Sequence, residues 1–461
     1  MNILMVTIGY PPHDVGGTEV YVSGLVEALK RRGHQCDVAY IEPFEEVDGP
    51  EIAITTSQSE GTTVYVIRVN TAHHKLEFLV FDPVLRGKLL DVYRRLVADL
   101  RPDVVHVHPL QLGFESYLIE MLRRAGNRVV LTYHSTTTTC ARGDLIYMGR
   151  EVCDSLLRRE RCTRCYYHWK ALPEPVAGLL SKAPLNWYHT VFEGAKPHPT
   201  LHKLSSFASI PILIEERFKA WTRATANADA VVAVCEWVKE TTVKNGVPEE
   251  KVILSRHGLR IVPDQPMVRE RGIPRFGYLG RISPEKGIDS LLDALKMIPL
   301  PVNFEFEFCS SSFEKSNRGP EEEGLVQAVY RLQAQDRRVR VLTGIEDDKL
   351  ASILAQWDAM VVPSLWLESG PQVIYEAFAV QTPIIGSRRG GIAELVIEGK
   401  TGLLFSPGEA LELADLLQRC ATNPTEIRAL RDNVPPVRTT AEVADDMLMV
   451  YQHITARAAT H

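Results

Sequence analysis

An α/β protein with two doubly wound parallel sheets is the fold class that this chain predicts, and three observations predict it. Its 461 residues exceed what one ordinary core absorbs; at about 150 residues per domain they allow two or three, of which two large ones fit best. Apolar runs of strand length alternate with helical patterns along the first part of the chain, the order in which crossover units build a parallel sheet with helices on both faces. The same alternation restarts at Arg275, after a stretch from Gly258 to Pro274 broken by prolines and charges, which reads as an interdomain linker. Hydrophobic residues at 45% and charged residues at 24% are globular values. A net charge of -6 gives no general reason to bind nucleic acid.

The first strand is Asn2 to Thr7. It runs into a loop carrying Gly16 and Gly17, and a helix follows with Val22, Leu25, Val26 and Leu29 at helical spacing before Gly33 closes it. Paired glycines before a helix let the backbone approach a phosphate or sugar closely, and Thr18 can cap the helix; an ordinary βα turn accounts for the same pair. No basic leader or small-residue cleavage site precedes the strand, so no signal peptide is expected. No stretch reaches the roughly 20 apolar residues that span a bilayer. A cytoplasmic protein is therefore expected, with peripheral contact at the inner face of a membrane as the further option.

Short apolar runs at Cys36 to Ile41 and Val64 to Val69 read as strands, and Asp82 to Leu100 as a helix. Two further strands end in His106 and His108 and in His134. Ligands of open α/β sheets bind beyond the carboxyl ends of the strands, which makes His134 a candidate for the active site. His106 and His108 lack a nearby carboxylate partner in sequence and read as structural residues or acceptor contacts.

Four of the eight cysteines fall together: Cys140, Cys153, Cys162 and Cys165, the last two as Cys162-Thr163-Arg164-Cys165. Disulfides are not expected in a reducing compartment, and four thiolates are the ligand set of a closed structural zinc site; an iron–sulfur cluster and unliganded or redox-active thiols are the alternatives. Cys36, Cys235, Cys309 and Cys420 lie among apolar runs and read as core. From Tyr166 to Ile214 the alternation breaks down, with prolines, Trp169, Trp187, Tyr188 and Phe192, and with Lys170, Lys182, Lys196 and Lys203 among them. This segment reads as an insertion, either a folded lid or a surface for an anionic membrane or a lipid-linked substrate. Alternation resumes with a helix at Glu215 to Asn227, a strand at Asp229 to Val234 and a helix at Glu236 to Asn245.

In the second half, the strand after Arg275 leads to Arg281 and Lys286 around a tight turn, and a helix follows with Leu291, Leu292, Leu295 and Ile298 on its apolar side. Two cations above a strand end suit a diphosphate. Further on, the apolar run Ala359 to Val362 stops at Pro363 and gives way to a helical pattern that includes Glu376 and Phe378. Such a junction presents backbone N–H groups around Ser369, Gly370, Pro371 and Gln372 at the positive end of a helix. Glu368 stands at its mouth and Glu376 about two turns in. Helical patterns also cover Leu411 to Cys420, Glu426 to Asp432 and Glu442 to Tyr451.

These motifs resemble those of the retaining glycosyltransferases of family 4. The matching residues are Gly16-Gly17, Gly280-Arg281-Ile282-Ser283-Pro284-Glu285-Lys286-Gly287, the run from Glu368 to Ala377 with its Glu-x7-Glu pattern, Pro383 to Ser387, Gly390 to Val396 and Gly399 to Phe405. The resemblance is closest over 275–420, less close over 1–135 and weakest over 136–215. It implies the GT-B fold, two Rossmann-like domains facing a central cleft. Residues 1–258 would form the acceptor domain with a cysteine-containing insertion at about 136–215, 259–274 the linker and 275–438 the nucleotide-sugar domain; a terminal helix over 439–461 would cross back.

The resemblance also implies a sugar moved with retention from a nucleotide-diphosphate-sugar donor to a glycan, lipid-linked or small-molecule acceptor, with no catalytic metal. Arg281 and Lys286 would neutralise the diphosphate, and Glu376 would accept from the ribose. Glu368 and the backbone of Ser369 to Gln372 would hold the sugar and distal phosphate, Gly16 and Gly17 would approach the diphosphate, and His134 would face the sugar. Two departures bear on donor choice and hinge: Cys309-Ser310-Ser311-Ser312-Phe313 where relatives carry a glycine-bearing turn, and Ser255-Arg256-His257-Gly258 at the linker entry. A non-catalytic sugar-nucleotide scaffold, or a phosphorylase or epimerase on the same fold, are the competing functions. Oligomeric state is not written in the sequence.

Overall fold

The computed structural model describes residues 1–12, 16–46, 48–71, 82–109, 113–195, 198–262 and 272–456. Residues 263–271 of the stretch read as linker, 13–15 of the glycine loop and Lys196 lie outside the described residues. Two compact units result: one runs to Arg256 and resumes at Val443, and the other runs from His257 to Glu442.

The first unit has the strands β1 (Asn2–Thr7), β2 (Gln35–Phe44), β3 (Ile52–Ser59), β4 (Thr62–Asn70), β5 (Val104–Val107) and β6 (Arg128–Tyr133), a small ribbon of β7 (Ile146–Tyr147) and β8 (Glu151–Val152), then β9 (Ala230–Ala233) and β10 (Val252–Leu254). The main sheet is ordered β10-β9-β6-β5-β1-β2-β4-β3, and every pair is parallel except β3 with β4. Its helices are α1 (Gly17–Arg31), α2 (Pro83–Leu100), α3 (Phe114–Arg124), α4 (Arg159–Trp169), α5 (Glu174–Ser181), α6 (Leu185–Ala195), α7 (His202–Asn227) and α8 (Glu236–Lys244). Strand residues alternate between two apolar layers. Leu4 and Val6 pack with α2, α3 and the end of α7. Ile3 and Met5 pack with α1 and with Met447 and Tyr451 near the end of the chain.

β3 is absent from the sequence reading because it pairs as an edge strand with mostly exposed residues, so its Thr, Ser and Gln carry no apolar period. The turn that joins it to β4 has Glu60 and Gly61 both at positive φ, the requirement of a two-residue hairpin that follows strand twist.

The stretch from Tyr166 to Ile214 corrects the sequence reading more deeply. It is helical, with its own apolar cluster of Tyr167, Ala177, Tyr188, Phe192, Ala208 and Ile212. The helix placed at Glu215 to Asn227 begins at His202 and runs through Pro211. Proline there has no N–H for the carbonyl of Phe207. The buried Tyr167 hydroxyl supplies the missing donor at 3.2 Å, and the Tyr167 and Phe207 rings stack at 4.4 Å. Tyr167→Phe is therefore expected to cost about 1–3 kcal/mol, the penalty of an unsatisfied buried carbonyl, read as faster amide exchange across α7.

The second unit holds β11 (Arg275–Leu279), β12 (Glu305–Cys309), β13 (Val339–Leu342), β14 (Ala359–Val362), β15 (Ile384–Ser387) and β16 (Gly402–Phe405). They form one parallel sheet ordered β13-β12-β11-β14-β15-β16. Around it lie α9 (Ile288–Met297), α10 (Pro320–Gln335), α11 (Asp347–Gln356), α12 (Gln372–Ala379), α13 (Gly390–Leu395), α14 (Ala410–Thr422) and α15 (Pro424–Ala429); α16 (Thr440–Ala456) ends the described chain, and from Val443 on it belongs to the first unit. Phe276, Phe306 and Phe308 fill one face with α9, α10 and α14; Met360, Val362 and Ile384 fill the other with α11, α12 and α13. No helix among the described residues is long and apolar enough to cross a membrane.

Candidate active site

Strand order in the second sheet reverses between β11 and β14, and a sheet of this kind opens its binding crevice where the order reverses. The two loops leaving those strands carry the residues that the sequence singled out. They are joined through backbone: the Leu365 amide donates to the Glu285 carbonyl at 2.9 Å. Gly287 has φ +73, and a Cβ there would lie 2.0 Å from the Pro363 oxygen, so only glycine lets the loops touch.

That contact delivers Lys286 Nζ to Glu368 Oε1 at 2.6 Å, and Ser364 Oγ donates to the same oxygen at 2.9 Å. Ser387 in turn donates to the Ser364 carbonyl at 2.7 Å, which fixes the shelf on which the carboxylate rests. The Gly391 amide donates to the Glu368 carbonyl at 2.7 Å. Burial acts to raise the Glu368 value, but the Lys286 charge and the hydrogen bonds overcome it and hold the carboxyl below its ordinary value. A carboxylate so held is a weak base and a good acceptor. Two expectations change here. Glu368 is buried beneath Lys286 rather than open at a helix mouth. Lys286 is not a bare cation, since its charge already has a counterion, and Arg281 lies 3.6 Å from Glu285 with its side chain 58% exposed.

His257 was noted in the sequence only as part of an unusual linker entry. It donates from Nδ1 to the Gly370 carbonyl at 3.1 Å, and a Cβ on Gly370, at φ +156, would come 3.0 Å from that nitrogen. Burial pushes the imidazole down to about 4, so it is neutral at physiological pH and its single proton goes to Gly370. No spacing rule links a histidine to a loop 113 residues away; only the fold reveals it.

Pro371 precedes α12, whose N-terminus has no side-chain cap, leaving the first-turn N–H groups of Gln372 and Val373 without helical acceptors. Two buried polar atoms, Ser283 Oγ and Gln372 Nε2, have no hydrogen-bond partner among the described residues. Glu376 lies on α12 toward the end of β12: burial first, then its charge, pushes the Cys309 thiol up to about 12. Ser310, after Cys309, caps a short turn by accepting from the Ser312 amide at 3.0 Å.

In the first unit Gly16 precedes α1 in extended conformation. A Cβ on Gly17 would meet nothing within 4 Å, so the folded chain itself does not demand glycine there. His134 follows β6, lies edge-on to Tyr21 at 4.9 Å and shares a hydrogen bond between its Nε2 and His108 Nδ1 at 3.0 Å. His106 is locked between Tyr451 OH at 2.6 Å and Thr132 Oγ1 at 2.7 Å. Burial lowers His106 to about 3, which makes it a structural residue.

Cys140, Cys153, Cys162 and Cys165 line one small cavity. The structural zinc expected of them is not shown: among the described residues no group of three or more His, Cys, Asp or Glu side chains is placed to hold a metal ion.

Comparison with known proteins places the whole chain. The Glycosyltransferase Family 4 model matches residues 15–260, and the glycosyl transferases group 1 model matches residues 268–435. An uncharacterised glycosyltransferase of Methanocaldococcus jannaschii is 24% identical over 410 residues, 88% of this chain and 85% of the relative. Sucrose-phosphate synthase from Thermosynechococcus elongatus superposes with a TM-score of 0.64 at 20% identity, covering 99% of each chain. An Anabaena protein solved in complex with UDP-glucose gives 0.57 at 16% identity over the full length of both. The two sheets are those of the GT-B fold.

Proposed function

The chain belongs to glycosyltransferase family 4, and from that premise we propose that it moves a sugar from a nucleotide-diphosphate donor to an acceptor with retention of configuration. The observation that carries the donor assignment is the Lys286–Glu368 pair at the sheet's reversal point. When a donor enters, the ammonium turns to the diphosphate and the carboxylate accepts from sugar hydroxyls. Arg281 supplies a second cation to the phosphates, and the first-turn amides of α12, with Ser369, Gly370 and Pro371 before them, cradle the distal phosphate. Ser283 Oγ and Gln372 Nε2 find in the ligand the partners that the folded chain does not give them. Glu376 accepts from the ribose. A related fold binding UDP-glucose supports a donor of this class.

Breaking the glycosyl–phosphate bond leaves positive charge on the sugar and added negative charge on the departing diphosphate. Cations and helix N–H groups therefore bind the transition state more tightly than the ground state, and Glu368, held ionised, faces the developing positive charge. Gly16, Gly17 and His134 of the first unit are assigned to ligand contact, His134 to the sugar.

A nucleotide-sugar panel tests the reading. A true donor present at 100 times its dissociation constant should stabilise the chain by about 2.7 kcal/mol and release nucleoside diphosphate with an acceptor, the product keeping the donor's anomeric configuration by NMR. Inversion would remove the retaining mechanism; binding without turnover across a broad acceptor panel would favour the scaffold reading. Within the same assay, His257→Ala should raise the donor KM about tenfold, roughly 1.4 kcal/mol, and change kcat less, because it loosens Gly370 without touching the reacting atoms.

A further inference from the structure

We propose that Trp366 is a positioning residue for Glu368: its indole N–H takes over the carboxylate when Lys286 turns to the donor diphosphate. This step rests on the donor reading above and adds to it the fate of the carboxylate. Trp366 lies in the loop after β14, two residues before Glu368, and its side chain meets both members of the buried pair. Lys286 Nζ stands 5.4 Å from the centre of the indole ring, within cation–π range. Glu368 feels the indole N–H, which is one of the groups that hold its carboxyl below the ordinary value, after Lys286. An aromatic ring is negative on its face and positive at its edge, so one side chain offers each partner the opposite charge.

In the free chain that N–H is held in reserve. Trp366 Nε1 is buried and has no hydrogen-bond partner among the described residues, so it lies near the carboxylate without the alignment of a hydrogen bond. Tryptophan donates through this atom alone, and a buried indole usually finds an acceptor. Leaving it unsatisfied costs stability. The acceptor beside it is already engaged, since Lys286 Nζ at 2.6 Å and Ser364 Oγ at 2.9 Å both bond to Glu368 Oε1.

Donor binding changes that balance. Once the ammonium faces the diphosphate, Glu368 loses its counterion and gains a negative neighbour while it stays buried, and each change favours the protonated carboxyl. A protonated Glu368 cannot answer the positive charge that grows on the sugar. A hydrogen bond to the ionised form opposes protonation, and it is stronger away from water. The indole N–H supplies that bond from two residues away, so Lys286 leaves for the phosphates and Glu368 keeps its charge.

The proton resonances of the indole N–H groups read the contact without any ligand. At alkaline pH, where Glu368 is ionised, Lys286→Met should move one of them downfield of its wild-type position, and Lys286→Met with Glu368→Gln should bring it back. No movement overturns the proposal whatever the donor panel finds; movement without turnover of any nucleotide sugar removes the donor reading alone. Trp366→Phe keeps the ring face and removes only the N–H. The free chain loses no hydrogen bond by it, so its midpoint in denaturant should match or exceed that of the wild type. In turnover of the nucleotide sugar that the panel identifies, kcat should fall about tenfold at neutral pH, the worth of one hydrogen bond to a charged group, with the donor KM little changed. Without the N–H the carboxyl of the donor complex takes up a proton at higher pH, so the acid limb of kcat should move up and the deficit should shrink as pH rises. An equal deficit at every pH, or a raised donor KM with kcat intact, overturns the proposal, because the N–H would then serve packing or the ligand and not Glu368.

Discussion

Lys286→Ala is expected to lose about a hundredfold to a thousandfold in kcat/KM, the usual effect of removing one preorganised charge from a charge-developing transition state. It should also cost the second unit about 3 kcal/mol, because Glu368 would stay buried without its cation. These two losses separate experimentally. In the double variant Lys286→Met with Glu368→Gln the unpaired charge is gone, so stability should return toward wild type by chemical denaturation while activity stays low. If the double variant regains activity, neither side chain has the role assigned to it. The dependence on pH gives a second check. In the wild-type chain the folded value of Glu368 is depressed below its unfolded value of about 4.3. The pair's contribution is therefore complete above that pH and is lost as pH falls through the depressed folded value. Without Lys286, burial acts on the carboxyl with little opposition and raises its folded value. The folded variant then takes up a proton before the unfolded chain does, and its stability should rise on acidification from neutral pH where that of the wild type is level.

The same pair shows what a sequence reveals and what it leaves out. Lys286 and Glu368 were both legible, each from the loop after an apolar run and from motif spacing. Their contact was not, since 82 residues separate them and strand order, which local periodicity does not encode, brings β11 beside β14. Both sheets were legible for a related reason: buried parallel strands read as continuous apolar runs, as in Val104–Val107 and Ala359–Val362. Where the physics differs, legibility falls. β3 pairs with its face to solvent, and α7 passes through a proline that only Tyr167 makes tolerable. His257 acts through one hydrogen bond to a distant carbonyl. The four cysteines were legible as a group, yet that they line one cavity is a property of the fold, since they lie on separate local elements.

Gly287→Ala should be the most damaging small substitution in the second unit. Two penalties coincide. At φ +73 a Cβ carries the left-handed strain of about 1–2 kcal/mol, and here it also overlaps the Pro363 carbonyl at 2.0 Å, backbone that cannot swing aside. Relief requires the loop after β11 to lift from the loop after β14, which breaks the Leu365–Glu285 hydrogen bond and withdraws Lys286 from Glu368. A loss of about 3–5 kcal/mol, with catalytic loss comparable to Lys286→Ala, is the expected outcome. Gly399→Ala supplies the control. Its φ is +70, yet an added Cβ would meet nothing within 4 Å, so it carries the backbone strain alone and should cost about 1–2 kcal/mol with turnover near wild type. Equal destabilisation in the two variants, measured by chemical denaturation, would mean that backbone conformation and not the approach of the two loops is what Gly287 provides. A Gly287→Ala enzyme with normal turnover would break the link between that approach and the placement of Lys286.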